Sequence, residues 1–318
     1  MAALISVITS WSSSPIYQHN SVEMEIARRP LSIRAVDISL KERPNFCTLN
    51  EENFSDLWEA RYLAETHLKQ AGYRNRLCYA QLEANASPVW QVTTYSNLPS
   101  YLDNCVMRKI YSIWQQVKVL FRTIFPPCEK SKVPFKEERN FWSSFDTVVN
   151  ASDPQKSGRG ALTQEAVIRK QILFPESAPS SDHEILLLYN YAPLRTGGEQ
   201  MHFLLIPQPI KPAKNFLELD KEQYINALAL AQKVTLWAQK TYAEQVTVHF
   251  FDKTGEIAGQ TQPLFHAHLI IVKKGSEEIW GKIAMFLRMI FPVRPLPSNE
   301  LESRVNHYRS SLGIFLAQ

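Results

Sequence analysis

Apolar and polar residues recur with a helical period in four stretches of the chain. EENFSDLWEARYLAETHLKQAG begins after Asn50 and stops at Gly72, a residue suited to the end of a helix. KEQYINALALAQKVTLWAQKTY follows Asp220, and Gln223 stands where a capping box places its second member. CVMRKIYSIWQQVKVLFRTIF runs up to Pro126 and SEEIWGKIAMFLRMIF up to Pro292, and a last helix is expected after Pro297 with Ser298 or Asn299 as its cap. Between them lie strand-like runs: SIRAVDISL, RLCYAQLEA, PVWQVTTY, HEILLLYNY, MHFLLIPQ, VTVHFFD and FHAHLIIV. Hairpin-spaced strands with single intervening helices predict an α+β fold built from two antiparallel sheets of about five strands each, every sheet carrying a helix on one face.

The order strand, helix, strand, strand, helix occurs twice. Ile113, Trp114, Arg122, Ile124, Phe125 and Pro126 are matched by Ile279, Trp280, Arg288, Ile290, Phe291 and Pro292 at one constant spacing of 166. Further upstream, Phe46, Leu49, Glu52 and Phe54 answer to Phe216, Leu219, Glu222 and Tyr224 at a spacing of 170, and PVWQVTTY falls on PLFHAHLI. Element order and local sequence agree together, which is the signature of a tandem duplication. Residues 128–183 interrupt it with NASDPQKSGRG and FPESAPSSDHE, polar and turn-rich stretches that read as a linker or insert with one short helix.

Composition narrows the chemistry. With 45% apolar and 21% charged residues, the 318-residue chain can bury a core. Only 10 glycines stand against 19 prolines, and neither GxxxxGK[ST] nor GxGxxG occurs, so a P-loop or a Rossmann phosphate turn would have to be built from almost nothing. The net charge of +4 is spread along the chain, which suits a phosphorylated ligand and does not call for nucleic acid. Interleaved Glu and Pro make FRTIFPPCEKSKVPFKEER a solvated linker and not a nucleic-acid patch. Cys47, Cys78, Cys105 and Cys128 match no zinc or thioredoxin spacing and read as reduced thiols, hence a cytoplasmic setting. The opening MAALISVITSW lacks a basic start and predicts a first strand or a frayed end, not a secretory signal, and no apolar run approaches the ~20 residues of a membrane span. Trp58, Trp90, Trp114, Trp237 and Trp280 occupy positions expected to pack.

Candidate chemistry gathers in the second half. His266 and His268, two apart in FHAHLIIV, project from one face of a strand, with Ala267 and Leu269 on the other. A neutral imidazole in such a place can serve as nucleophile, general acid or metal ligand. The AGQT turn, Ala258 to Thr261, leads toward this strand with amides and side chains able to bind an anion. About sixty residues earlier, a polar loop delivers His202 to the start of an apolar strand. His183, His249 and His307 lack partners at metal spacing and receive no role.

Together, AGQTQPLFHAHLIIV and MHFLLIPQPIKPAKNFLELD resemble the histidine triad (HIT) superfamily over residues 184–292. Two copies in one chain are similar to its galactose-1-phosphate uridylyltransferase and diadenosine tetraphosphate phosphorylase branch, in which an internal pseudo-dimer replaces a homodimer. The resemblance implies HIT-like antiparallel sheets with packed helices: a degenerate copy over 1–127, a linker over 128–183 and a HIT-like domain over 184–318. It implies a nucleotide hydrolase or nucleotidyltransferase acting at the α-phosphate of a nucleotide ester or anhydride, such as a dinucleoside polyphosphate or nucleotide sugar. His268 matches the nucleophile that forms a nucleotidyl-imidazole, and His266 and His202 match flanking groups that position phosphate and leaving group. Gly259, Gln260 and Thr261 match the phosphate-binding turn, and Asn190 a ribose-side polar residue. No cofactor or metal is called for, and the expected state is a monomer.

The chain departs from the pattern at Ile270, where the family has a third histidine or a glutamine, and at Gln262 and Pro263, which separate the turn from the histidines. In the first copy Gln91 and Thr93 stand where His266 and His268 do in the second, and Val36 lies near the His202 position. That copy has no nucleophile and is expected to persist because it covers a sheet edge or helix of its partner. Against the enzyme stand two other readings, a nucleotide-binding pseudoenzyme and an interaction scaffold.

Overall fold

The computed structural model describes residues 17–27, 35–83, 85–94, 170–175, 185–193, 201–207, 213–242, 246–255, 264–273 and 296–316. Ten strands are β1 (Tyr17–His19), β2 (Val22–Ile26), β3 (Ala35–Leu40), β4 (Arg76–Leu82), β5 (Trp90–Thr94), β6 (Ile172–Phe174), β7 (Ile185–Tyr189), β8 (Met201–Pro207), β9 (Val246–Thr254) and β10 (Ala267–Lys273). Three helices are α1 (Glu51–Gln70), α2 (Lys221–Thr241) and α3 (Ser298–Leu316). The expected strands and helices within these residues are present. Those expected before Pro126 and before Pro292, and the opening segment, lie outside the described residues.

All the strands join one antiparallel sheet in the order β1-β2-β3-β5-β4-β9-β10-β8-β7-β6. The expectation of two separate sheets is therefore corrected to α+β architecture on a single ten-stranded sheet. The physical reason is that two five-stranded sheets would each leave a long unpaired edge, β4 in one and β9 in the other. These edges satisfy one another over seven residue pairs, from Arg76 opposite Thr254 to Leu82 opposite Val248. Read inward from either end, the order is the same: β1, β2, β3, β5, β4 on one side and β6, β7, β8, β10, β9 on the other.

Local sequence explains the repeated unit. A 3-10 turn at Phe46–Thr48 precedes α1, and another at Phe216–Glu218 precedes α2; both Phe46 and Phe216 are fully buried. The Asn50 side chain accepts from Asn53 N–H at 2.9 Å while Asn50 N–H donates to Asn53 Oδ1 at 3.2 Å, so two orphan donors of α1 are satisfied together. At α2 the Asp220 N–H donates to Gln223 Oε1 at 3.2 Å, as the capping pattern predicts. Gly72 ends α1 in the left-handed region, φ +90°, where a side chain would be strained.

The three helices lie on one face. There Leu57, Ala60 and Ala64 of α1, Leu228, Ala231 and Val234 of α2, and Val305, Tyr308 and Leu312 of α3 share a core with alternate residues of the strands. Trp90 and Trp237 are buried in it, as expected, and Trp90 meets Phe250 edge-on at 4.9 Å. No helix among the described residues is long and apolar enough to cross a membrane.

Across the central seam a buried charge cluster ties the halves. Arg61 of α1 donates to Asp252 Oδ1 of β9 at 2.6 Å and to Glu65 Oε1 at 2.7 Å, while Arg76 Nε reaches Glu65 Oε2 at 3.0 Å. The Arg61 guanidinium also lies 3.8 Å from the centre of the Phe216 ring. Removing one member of such a cluster strands the others without solvent. Arg61→Ala is expected to lower unfolding free energy by about 3–5 kcal/mol in urea titrations. A change under about 1 kcal/mol would show that the cluster does not hold the seam.

Candidate active site

The face opposite the helices carries the chemistry. Strand alternation puts Ala267, Leu269 and Ile271 of β10 into the helix-side core and turns His268, Ile270 and Val272 the other way. Register then composes two rows across the sheet. One runs Gln91, Tyr79, Phe251, His268, Leu204 and Leu188. The other runs Gln81, His249, Ile270 and His202, where His202 O accepts from Asn190 N–H at 2.9 Å just past the end of β7. His202 thus stands diagonally from His268 on the neighbouring strand, a separation that long side chains span. His266 and Lys253 lie one residue beyond the Ala267–Asp252 pair.

The three predicted histidines converge. His202 Nε2 lies 2.9 Å from His268 Nδ1, and the His266 ring meets that of His268 edge-on at 4.9 Å. Phe251 stacks on His268 with centroids 4.5 Å apart and planes 11° from parallel. His202 and His266 are buried, whereas His268 is partly open.

Hydrogen bonds restrict the protons. His266 Nδ1–H donates to the Leu264 carbonyl at 2.8 Å, so its Nε2 carries the lone pair. Ala192 N–H donates to Asn190 Oδ1 at 3.0 Å, which turns the Asn190 amide nitrogen toward His202, 3.2 Å from each ring nitrogen. That nitrogen only donates: a His202 lone pair on Nδ1 is available to it alone, whereas one on Nε2 is shared with His268. With the lone pair on Nδ1, His202 donates from Nε2 and the His268 proton sits on Nε2. With it on Nε2, His268 Nδ1–H donates and His268 Nε2 carries the free electron pair that attack on phosphorus requires.

The imidazoles are neutral at ordinary pH. Burial pushes His202 down to about 3, with Lys253 and His266 adding to the effect. Burial likewise lowers His266 to about 4, and it holds His268 well below the ordinary range, joined by the neighbouring histidines and Lys253.

Of the other site residues, Gly259, Gln260 and Thr261 lie outside the described residues. Asn190 is buried against His202. Ile270 is fully buried and packs with Leu77, Phe251 and Val272. In the first half, Gln91 donates to Asp37 Oδ1 at 2.7 Å and Thr93 is buried, with no imidazole at either place. His249, given no role from sequence, bonds through Nδ1 with the Tyr79 hydroxyl at 2.9 Å and flanks Ile270. Phe251 and Lys253 were not singled out; the signal for them was the alternation in VTVHFFDK, which puts His249, Phe251 and Lys253 on the histidines' side. Among the described residues no cluster of His, Cys, Asp and Glu is arranged to hold a metal ion.

No family model matches the sequence, and no curated protein does. Among solved structures, the chain is similar to a GalT-like protein from Arabidopsis thaliana, at 13% identity and a TM-score of 0.47 over 88% of this chain and 87% of that one. It is also similar to an ADP-glucose phosphorylase from Arabidopsis thaliana with bound ADP-glucose, at 10% identity and a TM-score of 0.45 over 83% and 81%. A uridylyltransferase is similar at 8% identity and a TM-score of 0.48 over 92% and 86%.

A histidine whose proton affinity is depressed by folding takes up a proton more readily when unfolded, so stability falls as pH drops below the unfolded value. For His202, with its folded value near 3, the loss is about 2 kcal/mol at pH 5 and vanishes above about pH 7. Chemical denaturation at pH 5 and pH 7.5 checks this. His202→Gln is expected to flatten the dependence by that amount, and an unchanged slope would contradict the neutral assignment.

Proposed function

We propose that the chain is a HIT-type enzyme of nucleotidyl transfer or hydrolysis, acting at the α-phosphate of a nucleotide ester or anhydride. The observation that carries this reading is the contact of His202 Nε2 with His268 Nδ1 at 2.9 Å beside His266, all neutral on one face. In the tautomer with its lone pair on Nε2, His268 attacks phosphorus and a phosphorus–nitrogen bond forms as the bond to the leaving oxygen breaks. Its Nδ1–H is held by the His202 Nε2 lone pair, which takes up part of the positive charge that develops on the ring. His266 lies beside the reacting phosphate with its lone pair on Nε2, so it acts as proton acceptor for the incoming water or second acceptor and not as a donor to the phosphate oxygens. Water or a second acceptor then takes the nucleotidyl group and restores the imidazole. Gly259, Gln260 and Thr261 are assigned to the phosphate oxygens, and dinucleoside polyphosphates and nucleotide sugars are the substrate classes.

We also propose a tandem duplication with the first copy over 1–127, an insert over 128–183 and the second copy over 184–318, the two forming an internal pseudo-dimer. The mirrored strand order and the paired turns at Phe46 and Phe216 support it. The first copy provides β4 as the edge partner of β9 and provides no nucleophile.

One observation favours a second reading. Ile270 is fully buried among apolar side chains between His249 and His202, so the third polar partner has been replaced by packing. A protein that binds nucleotide without turning it over would tolerate that replacement.

The test is trapping of a covalent adduct from α-labelled nucleotides, with release of nucleoside monophosphate measured across nucleotide sugars, dinucleoside polyphosphates and phosphoramidates. His268→Ala is expected to abolish both adduct and turnover while binding persists. His266→Ala is expected to cost about 10²–10³ in rate through loss of a proton acceptor. Gln91→Ala and Thr93→Ala are expected to leave turnover unchanged. Binding of monophosphate without adduct or turnover in the wild type would replace the enzyme by the binding protein.

A further inference from the structure

A phosphate entering this site brings negative charge to three imidazoles that have none to offset it. Burying an anion without a cation or a full set of donors is strongly unfavourable. The apolar Ile270 removes one donor, and Phe251 and Leu204 flank His268 in the neighbouring row.

Lys253 is placed to answer this. It sits on β9 with the parity of Phe251 and His249, opposite Leu77 of β4 and level with His266 on the other side. Its ammonium lies 5.6 Å from the centre of the Phe251 ring, the ring on which His268 stacks. Among the described residues no carboxylate forms an ion pair with it. The neighbouring Asp252 points to the opposite side of the sheet and is held by Arg61. The field of Lys253 reaches all three histidines and disfavours their protonation, and burial lowers its own proton affinity. Such an ammonium gains most from an anion that arrives beside it.

Resting on the nucleotide reading above, we infer that Lys253 is the cation of the site: its ammonium binds the anionic phosphoryl group of the ligand, next to His266 and His268. It supplies a charged partner from the adjacent strand at the His266 end of the site, the end opposite Ile270. The site thereby selects phosphorylated ligands over the uncharged nucleoside, and affinity for the phosphate resides in Lys253 while reactivity resides in His268.

Calorimetric titration of the full chain with AMP, UMP, inorganic phosphate and adenosine, at fixed ionic strength, tests this for wild type, Lys253→Met, Lys253→Gln and Lys253→Arg. Loss of one charge-assisted contact is expected to weaken AMP and inorganic phosphate by about 10- to 100-fold in the Met and Gln variants. Adenosine is expected to bind alike in all, and Arg to retain phosphate affinity within a few-fold. The Gln variant keeps the comparison if the Met variant does not fold. Histidine titrations by NMR give a readout independent of ligand: the proton affinities of His202 and His266 rise when Lys253 is neutralised.

Equal affinity of wild type and the neutral variants for AMP overturns the inference and leaves the nucleotide reading intact. If the wild type binds inorganic phosphate but neither AMP nor UMP, the nucleotide reading fails, and weaker phosphate binding by the neutral variants still supports Lys253. If the wild type binds no anion at all, both fail.

Discussion

The pairing of β4 with β9 is the contact on which the rest of this molecule depends. β9 is hydrogen-bonded on both sides, to β4 and to β10, and it carries Phe251 and Lys253 on one face and Asp252 on the other. Asp252 is gripped from the helix side by Arg61 of α1, so the half of the chain without the histidines anchors the strand that walls their pocket. The seam therefore has two parts: backbone pairing, which sets register, and the buried ions, which bind α1 to it. Buried ions of this kind specify an arrangement more than they add stability, because their desolvation offsets much of their attraction.

On the opposite face the governing constraint is neutrality. Three imidazoles packed within contact distance cannot share protons freely, since each charged neighbour disfavours the next and burial disfavours all. The outcome is a site rich in lone pairs and poor in charge. A directional bond, from His266 Nδ1–H to the Leu264 carbonyl, then decides which His266 nitrogen faces the ligand.

Much of this was legible in the sequence because long periodic segments carry their own signal. α1, α2 and α3 and the longer strands follow from alternation and caps, whereas β1 and β6, at three residues each, and the five-residue β2 are too short for a pattern to emerge. His266 and His268 were legible because two-residue spacing on a strand fixes a shared face; His202 was legible through the motif its strand resembles, and its approach to His268 at 2.9 Å depends on the register of β8 against β10. The joining of the halves into one sheet was not, because edge pairing is made by backbone groups that every residue possesses. Lys253 and Phe251 were hidden for a related reason: a strand's neighbours are set by register, and no local motif in VTVHFFDK reports which strand lies beside it. Asn190, read as a ribose contact, lies against His202, a relation that depends on β7 and β8 ending together.

The two outermost strands have a bearing on assembly. Among the described residues the sheet ends at β1 and β6, three residues each, and β6 is irregular in register against β7 and followed by Pro175. Short or distorted margins offer a poor template to another chain. The long margins have been turned inward, where β4 and β9 occupy each other. A polypeptide cut between the halves would bare a ladder of seven residues on each fragment, and each fragment would seek a substitute for what it lost, its own kind included. The pairing of β4 with β9 thus covers the two edges most open to another chain, in addition to assembling the pocket.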